Sequence, residues 1–220
     1  MTPGVTLECA AVLFDTDGTL VDSTEIVESA ARVWAAEYGV DADAYLATAH
    51  GRRTSDSIAE VLPAERVREA TERLDALEAA RADAVRALPG AVDLLTALGG
   101  GPLPWAIVTS MDRAQFAART RAAGVPVPEV VVTAQDVERG KPDPSGYLRA
   151  ARALGVDAAR CVVVEDAPAG IAAGRRAGAY VLAVATSHPA AELGGADLVV
   201  PDLTSVRAVP GGLRVTDPPR

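Results

Sequence analysis

The sequence contains no asparagine and a single lysine, Lys141, against 20 arginines in 220 residues. Alanine fills 45 positions. The bias reads as compositional pressure that trades lysine for arginine wherever either side chain serves. The two differ physically, since lysine carries a compact ammonium and arginine a wide planar fork. A position that keeps lysine under such pressure is therefore a candidate for work the fork cannot do. Cysteine is nearly absent as well: Cys9 and Cys161 could pair only once, and Cys161 opens an apolar run as a small buried hydrophobe would. The chain accordingly reads as reduced and cytoplasmic. No apolar run approaches the roughly 20 residues that cross a bilayer, and Met1 to Cys9 lacks the basic-then-apolar layout of a secretion signal. Positive charge is in deficit, with 21 basic against 30 acidic side chains and a net charge of −9. That balance argues against nucleic acid or an anionic membrane as partner, and leaves room for a small anionic substrate that answers to local charge. A GxxxxGK[ST] loop is also missing, which argues against P-loop nucleotide chemistry.

What is present fits one globular domain, or a core with a modest insert, at 49% hydrophobic and 23% charged residues. Short continuous apolar runs occur at 9–14 (CAAVLF), 105–108 (WAIV), 130–132, 161–164 (CVVV), 180–184 (YVLAV) and 198–200. Such runs suit strands covered on both faces. Helical patterns lie between them at 91–98, 112–123, 145–154 and 168–177, three of them closed by Gly124, Gly155 and Gly178. Strands alternating with helices of this length predict βαβ units and a parallel sheet, an α/β fold. Residues 21–88 break the rhythm. They contain no apolar strand run and read as helices at 23–38, 43–48, 55–62 and 64–86, the last a charged, solvated surface helix. The expected organisation is thus an α/β core of 1–20 and 89–220 with an α-helical insert at 21–88. The tail from Pro210 is rich in Pro and Gly and is expected to be loosely ordered.

In open parallel sheets, ligands bind beyond the carboxyl ends of the strands. The polar residues that follow each run are Asp15 and Asp17, Thr109 and Ser110, and Glu165 and Asp166, with Lys141 in the loop after the third run. Each pair alone has a plain structural reading as a turn or a helix cap. Together they aim four acids, two hydroxyls and the one lysine at a single sheet edge. Clustered carboxylates repel unless a cation sits among them, and hard oxygen ligands suit Mg²⁺. Hydroxyls and an ammonium add the donors that hold a phosphate. A carboxylate at the mouth of the first strand would attack phosphorus. An acid two residues on would protonate the leaving oxygen and later deprotonate water.

These residues resemble a known family. The segment Phe14-Asp15-Thr16-Asp17-Gly18-Thr19-Leu20-Val21-Asp22-Ser23 is similar to the first motif of the haloacid dehalogenase-like phosphohydrolases. Val108-Thr109-Ser110, Gly140-Lys141-Pro142-Asp143-Pro144 and Val164-Glu165-Asp166-Ala167-Pro168-Ala169-Gly170 resemble the second, third and fourth motifs, in the family's order. The insert matches the small α-helical cap of the beta-phosphoglucomutase and sugar-phosphatase branch. The resemblance implies a Rossmann-like core with Asp15 as nucleophile and Asp17 as general acid/base. It implies Mg²⁺ held by Asp15, the backbone carbonyl of Asp17 and Asp166, with Glu165 in or next to that shell. Thr109, Ser110 and Lys141 would bind phosphate. Asp17 separates the chain from true haloacid dehalogenases, which lack that acid. His50-Gly51-Arg52-Arg53-Thr54-Ser55-Asp56 resembles the cap segment of glycerol-phosphate and 2-deoxyglucose-6-phosphate phosphatases, and Thr133-Ala134-Gln135-Asp136-Val137 points the same way. By that match His50, Gly51 and Arg53 would read the organic part of the substrate, with Arg53 preferred to Arg52.

The expected activity is hydrolysis of a small sugar or polyol phosphate through an aspartyl-phosphate, by a monomer or weak dimer. Two alternatives stand beside it. A phosphosugar mutase would return the phosphoryl group to sugar rather than water. A non-catalytic phosphosugar-binding protein would need neither the nucleophile nor the proton shuttle.

Overall fold

The computed structural model describes residues 4–216. In chain order, β1 (Val5–Glu8) leads to β2 (Ala11–Phe14) and the two-residue β3 (Val21–Asp22). Four helices follow: α1 (Thr24–Tyr38), α2 (Ala42–Ala49), α3 (Thr54–Ile58) and α4 (Ala64–Ala79). The chain returns through β4 (Arg86–Ala87) to α5 (Ala91–Gly99), β5 (Trp105–Val108), α6 (Arg113–Ala123) and β6 (Val130–Val132). It continues with α7 (Ser145–Ala153), β7 (Cys161–Glu165), α8 (Pro168–Arg176), β8 (Tyr180–Val184) and β9 (Leu198–Val200), and closes with β10 (Val206–Val209) and β11 (Gly212–Val215).

Six strands form one parallel sheet in the order β6-β5-β2-β7-β8-β9. The central strand β2 is buried at every position and β7 likewise, as expected for strands with helices on both faces. One face packs Val12, Phe14, Ile107 and Val164 against α5 residues such as Leu94 and Leu98. The other packs Leu13, Val163 and Val181 against Tyr147, Ala150 and Ile171. A separate apolar cluster around Trp34, Ile58 and Leu74 joins the helices of the insert. Among the described residues, no helix is long and apolar enough to cross a membrane.

The structure corrects four local expectations. The stretch 21–88 does carry strand: β3 and β4 pair antiparallel, Val21 with Ala87 and Asp22 with Arg86, and two residues per strand leave too short an apolar signature to be read. The helix expected at 55–62 ends at Ile58 and gives way to turns that run up to Pro63, the residue before α4. The helix expected at 64–86 stops at Ala79, and Val85, fully buried, is drawn into extended backbone. The tail forms strand β11 over Gly212–Val215, paired antiparallel with both β1 and β10; residues 217–220 lie outside the described residues.

Candidate active site

The carboxyl ends of β2, β5 and β7 converge on a cavity of about 90 Å³ closed from above by the insert. Asp15, Asp17, Thr109 and Asp166 line it from the core, and Tyr45 and His50 line it from the insert. The loop after β2 is tightly wound: the Gly18 amide donates to the Val21 carbonyl at 2.8 Å, and the Leu20 and Val21 amides both donate to the Thr16 carbonyl at 2.8 and 3.0 Å. Gly18 takes φ +76°, and a Cβ there would run into the Asp166 carboxylate. Glycine is thus required twice at that position, by conformation and by proximity.

Lys141 is the hub of the buried polar network. Its ammonium donates to Asp15 Oδ1 and, at 2.6 Å, to Glu165 Oε1. The Tyr147 hydroxyl donates to the same Glu165 oxygen at 2.7 Å, and Glu165 Oε2 accepts from the amides of Asp166 and Ala167 at 3.0 and 3.4 Å. Both oxygens of Glu165 are therefore engaged by the protein. Asp166 accepts from the Thr19 hydroxyl at 2.9 Å through Oδ1 and from the Ser187 hydroxyl through Oδ2. The Thr109 hydroxyl oxygen accepts from the Met111 amide at 3.2 Å, which leaves its proton available.

Electrostatics follow from this packing. Burial pushes the Asp15 carboxyl well up, and Glu165 and Asp166 add to the effect while Lys141 opposes it. Burial, with Glu165 beside it, pushes Asp166 up to about 7. Burial works against the Lys141 ammonium, but Asp15 and Glu165 outweigh it and raise its pKa. Asp15, Glu165 and Asp166 bring ligand oxygens within 4.8 Å of one another, and a single ammonium answers three carboxylates. This all-oxygen, negatively overcharged donor set fits a hard divalent cation.

Asp17 belongs to a different ion pair. Its Oδ2 accepts from the Arg119 guanidinium at 2.7 Å, and the other arm of Arg119 donates to Glu78 of α4. Burial pushes Glu78 up to about 7 against the lowering influence of Arg119. Sequence reasoning missed both residues. The signal was present: Glu78 follows Leu74 by four, and Arg119 follows Phe116 by three, so each shares the inward face of its helix. Thr19 lies within the first motif but was given no role of its own, and Tyr147 and Ser187 were missed because their sequence context carries no distinguishing mark.

The insert is seated on the core by several polar contacts. The Ser110 hydroxyl donates to the Gly51 carbonyl at 2.9 Å, and Gln115 donates to Asp75 at 3.1 Å. The His50 and His188 rings meet edge to face, 5.4 Å between centroids. Gly51, at φ +74°, lies so close to the core that a Cβ would stand 2.8 Å from that of Ala167. Of the expected substrate residues, Thr109, Ser110, His50 and Gly51 border the cavity. Arg53 is turned away from it: its guanidinium donates to the carbonyls of Val137 and Glu138 at 2.7 and 3.1 Å, in a neighbouring cleft that also includes Lys141. Arg52 reaches the cavity wall, with both terminal nitrogens on the Glu60 carboxylate at 3.0 and 2.6 Å.

Residues 12–184 match the family model of haloacid dehalogenase-like hydrolases. The chain is 43% identical over 204 residues to hexitol phosphatase A of Escherichia coli, covering 91% of this chain and 94% of the relative. It is 34% identical over 218 residues to glycerol-1-phosphate phosphohydrolase 2 of Saccharomyces cerevisiae, covering 94% and 87%. Among solved structures, a hydrolase from Pseudomonas syringae superposes with a TM-score of 0.82 at 27% identity, covering 88% of this chain and 94% of that one.

Proposed function

The chain belongs to the haloacid dehalogenase-like hydrolases, and on that premise we propose that it is a Mg²⁺-dependent phosphatase of small sugar or polyol phosphates working through an aspartyl-phosphate. One observation carries the reading: Asp15 is buried at the cavity floor with Oδ1 held by Lys141, and its other oxygen receives no hydrogen bond from the described residues. That free oxygen would attack phosphorus as the bond from phosphorus to the ester oxygen breaks. Asp17 would give its proton to the departing alkoxide. Water would then attack the phosphoryl group and return a proton to Asp17, and the phosphorus–Asp15 bond would break to release inorganic phosphate. Lys141 and Thr109 would hold the phosphoryl oxygens. Asp15, Asp166 and the Asp17 carbonyl would hold Mg²⁺, which supplies positive charge against the phosphoryl group when bound. The four hydrogen bonds on Glu165 support a role in fixing Lys141 and orienting the turn to Asp166, next to the ion rather than on it.

Residues 21–88 would act as the cap that excludes water and reads the organic group. Ser110 and Arg53 would latch the cap to the core, through the Gly51 carbonyl and the 137–138 carbonyls, instead of touching substrate. Free Cys9 and Cys161 agree with a reducing, cytoplasmic setting. A mutase would need a second cationic grip for a bisphosphate. Among the described residues, the two arginines on the cavity wall are already paired, Arg52 with Glu60 and Arg119 with Asp17 and Glu78, which favours a monophosphate and hydrolysis.

Phosphate release from a panel of hexitol, glycerol and hexose monophosphates, with Mg²⁺ and after chelation, tests the proposal. The expected result is release from at least one of them, lost with chelator and restored by added Mg²⁺. Isomerisation without phosphate release would establish the mutase instead. Binding with neither outcome would establish a non-catalytic binder.

A further inference from the structure

Arg119 has 2% exposure, and no cation is so enclosed without reason, since a buried guanidinium is costly unless its charge is answered. Two carboxylates answer it from opposite sides. Asp17 comes from the loop after β2 in the core; Glu78 comes from α4 in the insert, near the segment that returns the chain to β4. Both arms of Arg119 are spent on these partners, so it is not a phosphate-binding cation. Its effect on Asp17 is directional. The guanidinium fixes Oδ2 at 2.7 Å, while Oδ1 is shielded from solvent and has no partner. A buried carboxylate oxygen without a partner is unfavourable until something supplies one. Asp17 borders the cavity, so once Oδ1 carries the proton that the general acid delivers, an oxygen of the bound ester is the acceptor placed to meet it.

We infer that Arg119 is a positioning residue for Asp17, and that Glu78 completes the clamp only when the insert is seated on the core. The inference rests on the reading of Asp17 as proton donor. Arg119 sets the carboxyl so that Oδ1 faces the leaving oxygen. Glu78 holds the second arm of the guanidinium and keeps the fork in register. Cap seating and alignment of the acid are therefore one event: with the insert lifted, Arg119 loses Glu78 and Asp17 loses its fixed orientation.

Leaving groups separate this from a merely structural role. An alkyl ester needs a proton in the transition state, and 2,4-dinitrophenyl phosphate does not. The variants are Arg119→Lys, which keeps the charge but cannot fork, and Glu78→Gln, which keeps the shape. The readout is kcat/KM, because it reports on transfer to the enzyme and not on later hydrolysis. Both variants are expected to lose about 10- to 100-fold on the best alkyl monophosphate, the scale of a small misplacement of a catalytic group. On 2,4-dinitrophenyl phosphate they should stay within about threefold of the parent, a change too small to count as lost transition-state stabilisation. Asp17→Asn is the reference and should show the same pattern more steeply. Adding Arg119→Lys to Asp17→Asn should cost nothing further on the alkyl ester, since the two act as one unit. Equal losses on both esters, or no loss, in Glu78→Gln and Arg119→Lys while Asp17→Asn keeps its pattern would overturn the inference alone. Absence of the pattern in Asp17→Asn would overturn the reading of Asp17 and this inference with it. Thermal unfolding shows which variants are folded, and Glu78→Gln carries the test if Arg119→Lys is not.

Discussion

At the scale of single residues, the one lysine is the sharpest case. Its side chain is 5% exposed, its ammonium lies between Asp15 and Glu165, and Nζ stands 5.4 Å from the centroid of the Tyr147 ring. A guanidinium carries the same charge but is too wide for a slot bounded by two carboxylates and a ring. Lys141→Arg should therefore fall by about 10²-fold or more in kcat, near the loss expected for Lys141→Met, the usual cost of removing a charge-stabilising donor. Steady-state rates on the best phosphomonoester, compared at matched folded fraction, check this; an Arg variant close to the parent would make the lone lysine a compositional accident. As candidates, Asp15, Asp17 and Asp166 were picked out of the sequence because each sits just past an apolar run, where the sheet edge must be, and Lys141 because it is the one lysine, in the loop that follows the third run. Arg119, Glu78 and Ser187 were not. Arg119 is one of 20 arginines, and Glu78 lies in a helix dense with charge, so composition hid what the helical period would have shown.

At the scale of elements, the parallel strands were readable because burial on both faces demands unbroken apolar runs, as in β5 and β8. The antiparallel ribbons were not. In β1 only Leu7 is buried, and in β10 only Val206, so neither builds such a run. The connection between α2 and α3 carries a pH dependence. His50 caps the C-terminus of α2 and faces His188 across the seam between insert and core. Burial lowers its pKa from 6.5 and His188 lowers it further, while the carboxylates of Glu28 and Asp17 act in the opposite direction. A histidine depressed on folding binds fewer protons folded than unfolded. Its contribution to stability is complete above 6.5 and is lost as pH falls from there through the folded value. Thermal unfolding between roughly pH 5 and 7.5, the range over which histidine changes charge, should show a decline toward acid that His50→Gln makes shallower. An identical slope in the variant would remove His50 from the seam's energetics.

At the scale of the molecule, the loops at the carboxyl edge of the six-stranded sheet carry the acidic cluster, and the helical insert lines the cavity from above. Among the described residues the side-chain joints between insert and core, away from the two connecting strands, are few: Ser110 to Gly51, Arg53 to the 137–138 carbonyls, Gln115 to Asp75, and Arg119 to Glu78. None is next to its partner in sequence: Ser110, Gly51 and Arg53 stand out as residues but their pairing across the seam does not, and nothing in the local pattern pairs Gln115 with Asp75 or Arg119 with Glu78. That is why the insert could be expected from the sequence while its points of attachment could not. The proposed chemistry turns on the oxygen of Asp15 that receives no hydrogen bond from the described residues. Asp15→Asn keeps the volume and removes the nucleophile, so phosphate release from the best sugar or polyol monophosphate is the direct measurement, taken at saturating Mg²⁺ on a variant shown to be folded. The account predicts a loss of about 10⁴-fold or more, in line with removal of a nucleophile elsewhere; release within about tenfold of the parent, a loss of only about 1.4 kcal/mol of transition-state stabilisation, would contradict it.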